Sequence, residues 1–255
     1  VGRFDGLRVV DVSTPSSPVE VGSLEVGSAC HDIELADGYA YLVAQYFGVV
    51  IDVTVPSSPV FSAWLFEGND LVDDLEVDGN HAYAVSRRQG MTVFDVTNPE
   101  SPEQIGHFAM PGEPFDIELE GPLAYIAYPS RGSLGLPQGL QVLDISDPAE
   151  PVEIAFREIY SVEWEVANLA IAGEVACIGT YQGLFVVQIS TPSEPIVVGR
   201  YQPAGPVLDM AVLDGVLHVS ESAAGTEHFD VTSCWNIVPK YPPPRLPGGR
   251  RVPGP

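Results

Sequence analysis

Lysine is almost missing from this 255-residue chain. Lys240 is the only one, and 11 basic residues stand against 35 acidic ones, for a formal net charge of −24. A surface of that sign repels phosphate backbones, which argues against a nucleic-acid partner. It suits an extracellular or salt-exposed setting, a cation-binding role, or solubility alone. Cysteine is scarce: Cys30, Cys177 and Cys234 are odd in number and lack metal-ligand spacing, and Cys30 and Cys234 are open to pairing or to remaining free. No apolar run is long enough to span a bilayer, so no membrane insertion is expected. No signal peptide is visible. The first residues, Val1 to Asp5, align with Val43 to Phe47 in mid-element, so the sequence reads as a fragment or processed product. No segment joins a helical apolar period to helix caps. The Gly-x-Ser-x-Gly elbow, the P-loop and His-Glu-x-x-His are all absent, which removes the sequence-visible serine hydrolase, nucleotidase and zinc-protease classes.

What the chain does contain is a repeat. Gly48-Val-Val-Ile-Asp-Val-Thr-Val-Pro-Ser-Ser-Pro59 is preceded by Gly6-Leu-Arg-Val-Val-Asp-Val-Ser-Thr-Pro-Ser-Ser-Pro18 and followed by Gly90-Met-Thr-Val-Phe-Asp-Val-Thr-Asn-Pro-Glu-Ser-Pro102. Shorter copies start at Gly139 and Gly183, and an eroded one runs from Gly225 to Thr232. The glycines step by 42, 42, 49, 44 and 42 residues.

One unit, Gly48 to Gln89, holds four short strands. Residues 49–53 are β-branched and apolar, as in a strand buried on both faces. Pro56 and Pro59 end that strand because they lack N–H donors. Residues 60–66 form a second strand, 74–77 an alternating third, and 81–86 a fourth, with Asp78-Gly79 as the hairpin turn between the last two. Asp11, Asp52, Asp95, Asp144 and Asp230 recur at one position; a buried carboxylate there would accept turn N–H groups, so their role is structural. Cys177 falls where Tyr41, Tyr83 and Tyr125 fall, as a small core residue. Four strands per repeat of this length make a propeller blade. Residues 1–232 form the repeat domain, and the Pro/Gly-rich tail, 233–255, is too poor in apolar residues to pack and is expected to be disordered.

The pattern Gly-Leu-x-Val-x-Asp-Val-Ser-x-Pro-x-x-Pro, then Asp-Ile/Val, then Gly-x-x-Ala-Tyr, resembles the LVIVD-repeat proteins, a family of bacterial secreted and surface proteins taken to be β-propellers. Gln188 and Asn168 depart from it. The resemblance implies an all-β chain of four-stranded antiparallel blades with the Asp-Ile-Glu-Leu strand innermost. On that phasing the complete blades are 31–67, 73–109, 115–158 and 166–202. Residues 1–26 lack an inner strand and 207–232 lack a clear outer one. Six blades are favoured, five being the other count the phasing allows.

The same phasing gathers candidate ligand-binding residues at one mouth of the channel: Asp32, Asp74, Asp116, Asn168 and Asp209 at the inner-strand starts, His31 beside them, and Tyr46, Arg87, Arg88, Tyr128, Arg131 and Tyr181 in the loops. A repeated Asp at a strand start also has a structural reading, bonding N–H groups of the next blade. Glu34, Glu76 and Glu118 lie two residues on and share the strand face with those aspartates. Such crowding either raises pKa values or recruits a hard cation such as Ca2+, with Asp32, Asp74 and Asp116 as the possible metal ligands. No catalytic residue is assigned. The leading reading is a non-catalytic secreted or cell-surface binding scaffold with a protein or glycan partner, using aromatic and arginine loop residues, Phe47 among them, as contact anchors. The alternative is a hydrolase or lyase at the acidic, possibly cation-binding, mouth.

Overall fold

The computed structural model describes residues 6–44, 46–68, 71–129, 138–159, 168–181, 183–202, 205–221 and 225–230. Among these residues the regular elements are strands alone, and no helix is long and apolar enough to cross a membrane. The tail 233–255, Arg131 and Cys234 lie outside the described residues.

Strands β1 (Gly6–Asp11) and β2 (Val19–Glu25) make a two-stranded sheet. Four complete antiparallel blades follow. They are β3 (Cys30–Ala36), β4 (Tyr39–Ala44), β5 (Phe47–Asp52) and β6 (Val60–Glu67); β7 (Val72–Asp78), β8 (His81–Ser86), β9 (Gly90–Asp95) and β10 (Glu103–Phe108); β11 (Asp116–Glu120), β12 (Leu123–Tyr128), β13 (Gly139–Asp144) and β14 (Val152–Glu158); β15 (Asn168–Ala172), β16 (Val175–Thr180), β17 (Gly183–Gln188) and β18 (Ile196–Tyr201). A three-stranded sheet of β19 (Val207–Leu213), β20 (Val216–Glu221) and β21 (Gly225–Asp230) closes the series.

The molecule is thus a β-propeller with the strand order that the repeat implies. Five blades contribute an inner strand, and β3, β7, β11, β15 and β19 pack side by side in that order. The favoured count of six is corrected to five. Among the described residues the sixth sheet is the outer pair β1–β2, which residues 6–25 supply as a third and a fourth strand.

Successive blades stack face to face through alternate residues of their strands. Tyr41, Val43 and Val50 of the first blade pack on Leu75, Ala82 and Ala84 of the second. Tyr125, Ala127 and Val142 of the third meet Leu169, Ala176 and Ile178 of the fourth. Both faces of the middle strands are therefore dry, which is why the Gly-x-Val-x-Asp segments read as unbroken apolar runs. Cys177 is a fully buried free thiol in this core, and Cys30 is a half-buried free thiol.

Two local readings shift by a residue. The hairpin turn expected at Asp78-Gly79 has Gly79 and Asn80 as its central pair, since Asp78 still pairs with His81. Positive φ then falls on the first central residue, Gly79, Gly121 or Gly173, in three hairpins, and on both central residues at Asp37-Gly38 and Asp214-Gly215. Likewise β5 opens on Phe47. Phe47 holds the register position of Gly90, Gly139 and Gly183, which adopt φ of +89°, +140° and +140°. Gly48 sits one place further in, where a Cβ would strike the Phe66 ring at 2.4 Å.

Candidate functional site

The inner strands begin at one end of the channel, around a cavity of about 620 Å³. Its wall includes Asp32, Asp74, Asp116, Asn168 and Asp209, with His31, Asp73 and Arg87 from the adjoining segments. Each ring aspartate is engaged. Asp32 Oδ2 accepts the Leu75 N–H at 3.1 Å, Asp74 Oδ2 the Ile117 N–H at 2.8 Å, and Asp116 Oδ2 the Leu169 N–H at 2.8 Å. Every bond runs from one blade to the residue after the aspartate position of the next blade. The ring is therefore a series of staples.

Asn168 continues the series in a different way. Its Nδ2 donates to the Leu208 carbonyl at 2.6 Å, a bond a carboxylate could not make. The Met210 N–H, left over by this change, is taken by Asp209 itself at 2.9 Å. Asn168 Oδ1 is buried without a partner.

Below the ring, Glu34, Glu76 and Glu118 face each other down the channel. Burial, then the charges of Glu34 and Glu118, push Glu76 up to about 9. Burial and then Asp74 raise Glu118 to about 7, and the same two causes raise Glu34. Asp32 is pushed up to about 7 by burial, then by the Asp74 charge. Asp116 is raised well above the ordinary range by the same causes, and both Asp32 and Asp116 share a carboxyl hydrogen bond with Asp74. Among the described residues no three His, Cys, Asp or Glu side chains converge in a metal-holding arrangement. Asp32, Asp74 and Asp116, the possible Ca2+ ligands, each direct one oxygen to a neighbouring blade.

The loop candidates scatter. Arg87 forks onto Asp73, with Nη2 at 2.6 Å and Nε at 2.7 Å, so it is a bound ion pair at the rim of the mouth. Arg88 and Tyr181 are exposed and do not line the cavity. Tyr46 borders a second cavity of about 320 Å³ between the first two blades, with Phe66, Phe94 and Gln104. Tyr128 is corrected: it is the last residue of β12, buried, stacked edge-on against Phe156 and hydrogen-bonded to Gln141. The position expected in a loop lies in the core because β12 extends through Tyr128.

The recurrent strand-end aspartates act in turns. Asp11 accepts the Ser13 N–H at 2.8 Å, Asp52 the Thr54 N–H at 2.8 Å, Asp95 the Thr97 N–H at 2.8 Å and Asp144 the Ser146 N–H at 2.9 Å. Their carboxylates face water, which corrects the expectation that they are buried. Hydrogen bonds hold the four below the usual range, and His81 nearby adds to the lowering at Asp95. The side chain of Asp230 lies outside the described residues.

Three features escaped the sequence reading. Gln141 is a fully buried amide joining Tyr128 to Glu153, and a lone Gln inside Gly139-Leu-Gln-Val-Leu is its signal. His218 and His228 face each other across β20 and β21 with Nδ1 atoms 2.9 Å apart. Phe61 and Trp64 on β6 are exposed, and Trp64 is held edge-to-face between Phe61 at 5.2 Å and Phe47 at 5.4 Å.

No curated protein matches the chain in sequence. Among solved structures, a Lactobacillus plantarum protein superposes with a TM-score of 0.77 at 9% identity, over 90% of this chain and 75% of that one. A functionally unknown protein from Desulfotomaculum acetoxidans gives 0.70 at 13% identity, over 86% and 71%. The β-propeller domain of Myceliophteria thermophila Cps50 (Swd1) gives 0.68 at 12% identity, over 88% and 77%. At such identities the likeness is one of fold. The LVIVD repeat pattern matches residues 1–26, 27–64, 71–109, 111–156 and 165–203, most of the sequence. The chain belongs to the LVIVD repeat family.

Proposed function

We propose that this propeller is a non-catalytic binding scaffold, working outside the cell or at its surface, with a protein or a glycan as partner. The observation that carries the reading is the Phe61–Trp64–Phe47 cluster. Three aromatic rings stand on paired strands β5 and β6, two of them open to water, with their orientations fixed by mutual edge contacts. Rigid aromatics lose little entropy on binding and supply large contact area, the character of an interface anchor. The carboxylates of the channel mouth, by contrast, are bound up in joining blades. The excess of acid over base supports an extracellular site, where such a surface stays soluble.

A second reading, a hydrolase or lyase at the mouth, has one observation in its favour: carboxyls raised to about 7 and about 9 in an open channel. A glycan array and a panel of surface-protein ectodomains, probed with the wild-type chain and with Trp64→Ala, Phe61→Ala and Glu76→Gln, separate the two. Scaffold function requires binding that the aromatic substitutions weaken about tenfold or more and Glu76→Gln leaves alone. Turnover of a bound glycan or peptide that Glu76→Gln abolishes would overturn it.

A further inference from the structure

The cavity of about 320 Å³ lies between the first two blades. Blade faces pack to the density of a protein interior, so a void between them needs a cause. The register supplies one. On β8 and β9 the cavity wall is made by Ala84, Ser86 and Thr92. In the third blade the same three positions hold Ile126, Tyr128 and Gln141, all buried. In the fourth they hold Ile178, Thr180 and Phe185, with Ile178 and Phe185 buried. The bulk that closes the next two interfaces is thus missing from the second blade.

The first blade withholds bulk as well. Gly48 takes the register position of Met91, Leu140 and Leu184, each fully buried. The Phe66 ring lies over Gly48, in the space a Cβ would need. That ring stacks nearly parallel to Phe94, with centroids 6.1 Å apart. At the rim the Gly68 N–H donates to the Tyr46 carbonyl at 3.0 Å, which ties down the end of the β5–β6 hairpin. Both blades therefore carry small residues where their neighbours carry large ones, and the space falls between them.

The wall sets the chemistry of an occupant. Leu65, Phe66 and Phe94 give apolar surface, while Ser86, Thr92 and Gln104 give hydroxyls and an amide, groups that both donate and accept. Among the described lining residues Glu67 alone is charged, which disfavours an anion. The volume is at the small end of the range for small-molecule sites, about 300–1,000 Å³. A cavity with polar walls holds water, and a ligand enters well when its own groups reproduce that water's hydrogen bonds. A pyranose ring meets each condition. One face carries C–H groups that lie on an aromatic ring, and its hydroxyls both donate and accept.

We infer that this cavity is a binding site for a neutral sugar of one or two pyranose rings. Phe61 and Trp64 do not line it, so it is separate from the aromatic cluster of β6.

The probes are glucose, galactose, mannose, N-acetylglucosamine, cellobiose and lactose, with choline as an organic cation and benzoate as an anion. Each is titrated into the full chain by calorimetry and thermal melting. One-to-one saturable binding of at least one sugar is expected, with Tm rising as sugar is added. The double variant Ser86→Tyr, Thr92→Gln restores the residues of the third blade and fills the void. It should melt no lower than wild type and weaken sugar binding about tenfold or more by occlusion. Trp64→Ala should leave sugar binding unchanged. Absence of saturable heat with every sugar overturns the inference, as does binding of choline or benzoate in their place, or equal sugar affinity in the filled variant. A filled variant that melts well below wild type would show that the chain itself occupies the space, and overturns it too. Sugar binding lost in Trp64→Ala and kept in the filled variant would move the sugar to the β6 aromatics and overturn this site.

Discussion

At the scale of single residues, one amino-acid type serves two separate purposes. The aspartate that ends the third strand of a blade accepts an N–H two residues on, in water. The aspartate that begins an inner strand accepts an N–H from another blade, out of water. Their electrostatics run in opposite directions. Hydrogen bonds lower the turn aspartates, so what they add to stability is present above the ordinary carboxylate range and is lost as pH falls through their lowered values. Burial and mutual repulsion raise the channel carboxyls, so the folded chain keeps protons the unfolded chain has already released. Their contribution is full below the ordinary carboxylate range and is lost as pH rises through about 7 for Asp32 and Glu118 and about 9 for Glu76. Melting curves should therefore show Tm falling from pH 5 to pH 9, and Glu76→Gln, which is neutral throughout, should flatten that fall. An unchanged slope in Glu76→Gln would show that Glu76 does not hold its proton in the folded state.

At the scale of elements, the motif glycines hold backbone geometry. Gly139 has φ of +140°, and a Cβ there would lie 2.0 Å from the Arg157 carbonyl oxygen. Gly173 has φ of +58° and open space around it. Gly139→Ala should therefore cost more than Gly173→Ala, which bears only the left-handed conformation, about 1 kcal/mol; urea denaturation measures both. Much of this level is legible in the sequence. β8 matches its expected bounds, residues 81–86, and the four complete blades match theirs within three residues. The legible signals are those repeated in each unit: alternation, the Asp-Gly pairs and the proline ends. What stays hidden depends on partners across blades. Tyr128 reads as a loop tyrosine because its burial depends on Phe156, in a strand 28 residues further on. Trp64 reads as an ordinary strand residue because nothing local shows that its face is left open. The shift from Gly48 to Phe47 at the start of β5 does not show in the glycine steps of 42 but does show in the glycine-to-aspartate spacing, four residues for Gly48 and Asp52 against five for Gly90 and Asp95.

At the scale of the whole molecule, the propeller is an ordered stack joined at its axis by one polar bond per interface and across its width by apolar faces. Asn168 and Asp209 mark where the series changes: the fourth blade donates instead of accepting, and the fifth turns its carboxylate to its own Met210 N–H. The candidate site follows from this order. The mouth is acidic because the first three blades each contribute an aspartate staple, and in the proposed reading recognition falls to the open aromatic strands of the first blade. If the mouth aspartates are staples, removing one should cost what it costs to leave a buried N–H unpaired, ~1–3 kcal/mol. Thermal unfolding of Asp32→Ala, Asp74→Ala, Asp116→Ala and Asp209→Ala under one set of conditions tests this most directly. The first three should each melt several degrees below wild type, at roughly 2–4 °C per kcal/mol for a chain of this size, and Asp209→Ala should lose less, because Asp209 is exposed, joins no second blade and can be replaced by water at the Met210 N–H. Equal losses in all four, or no loss in the first three, would contradict the assignment of the acidic ring to holding the blades together.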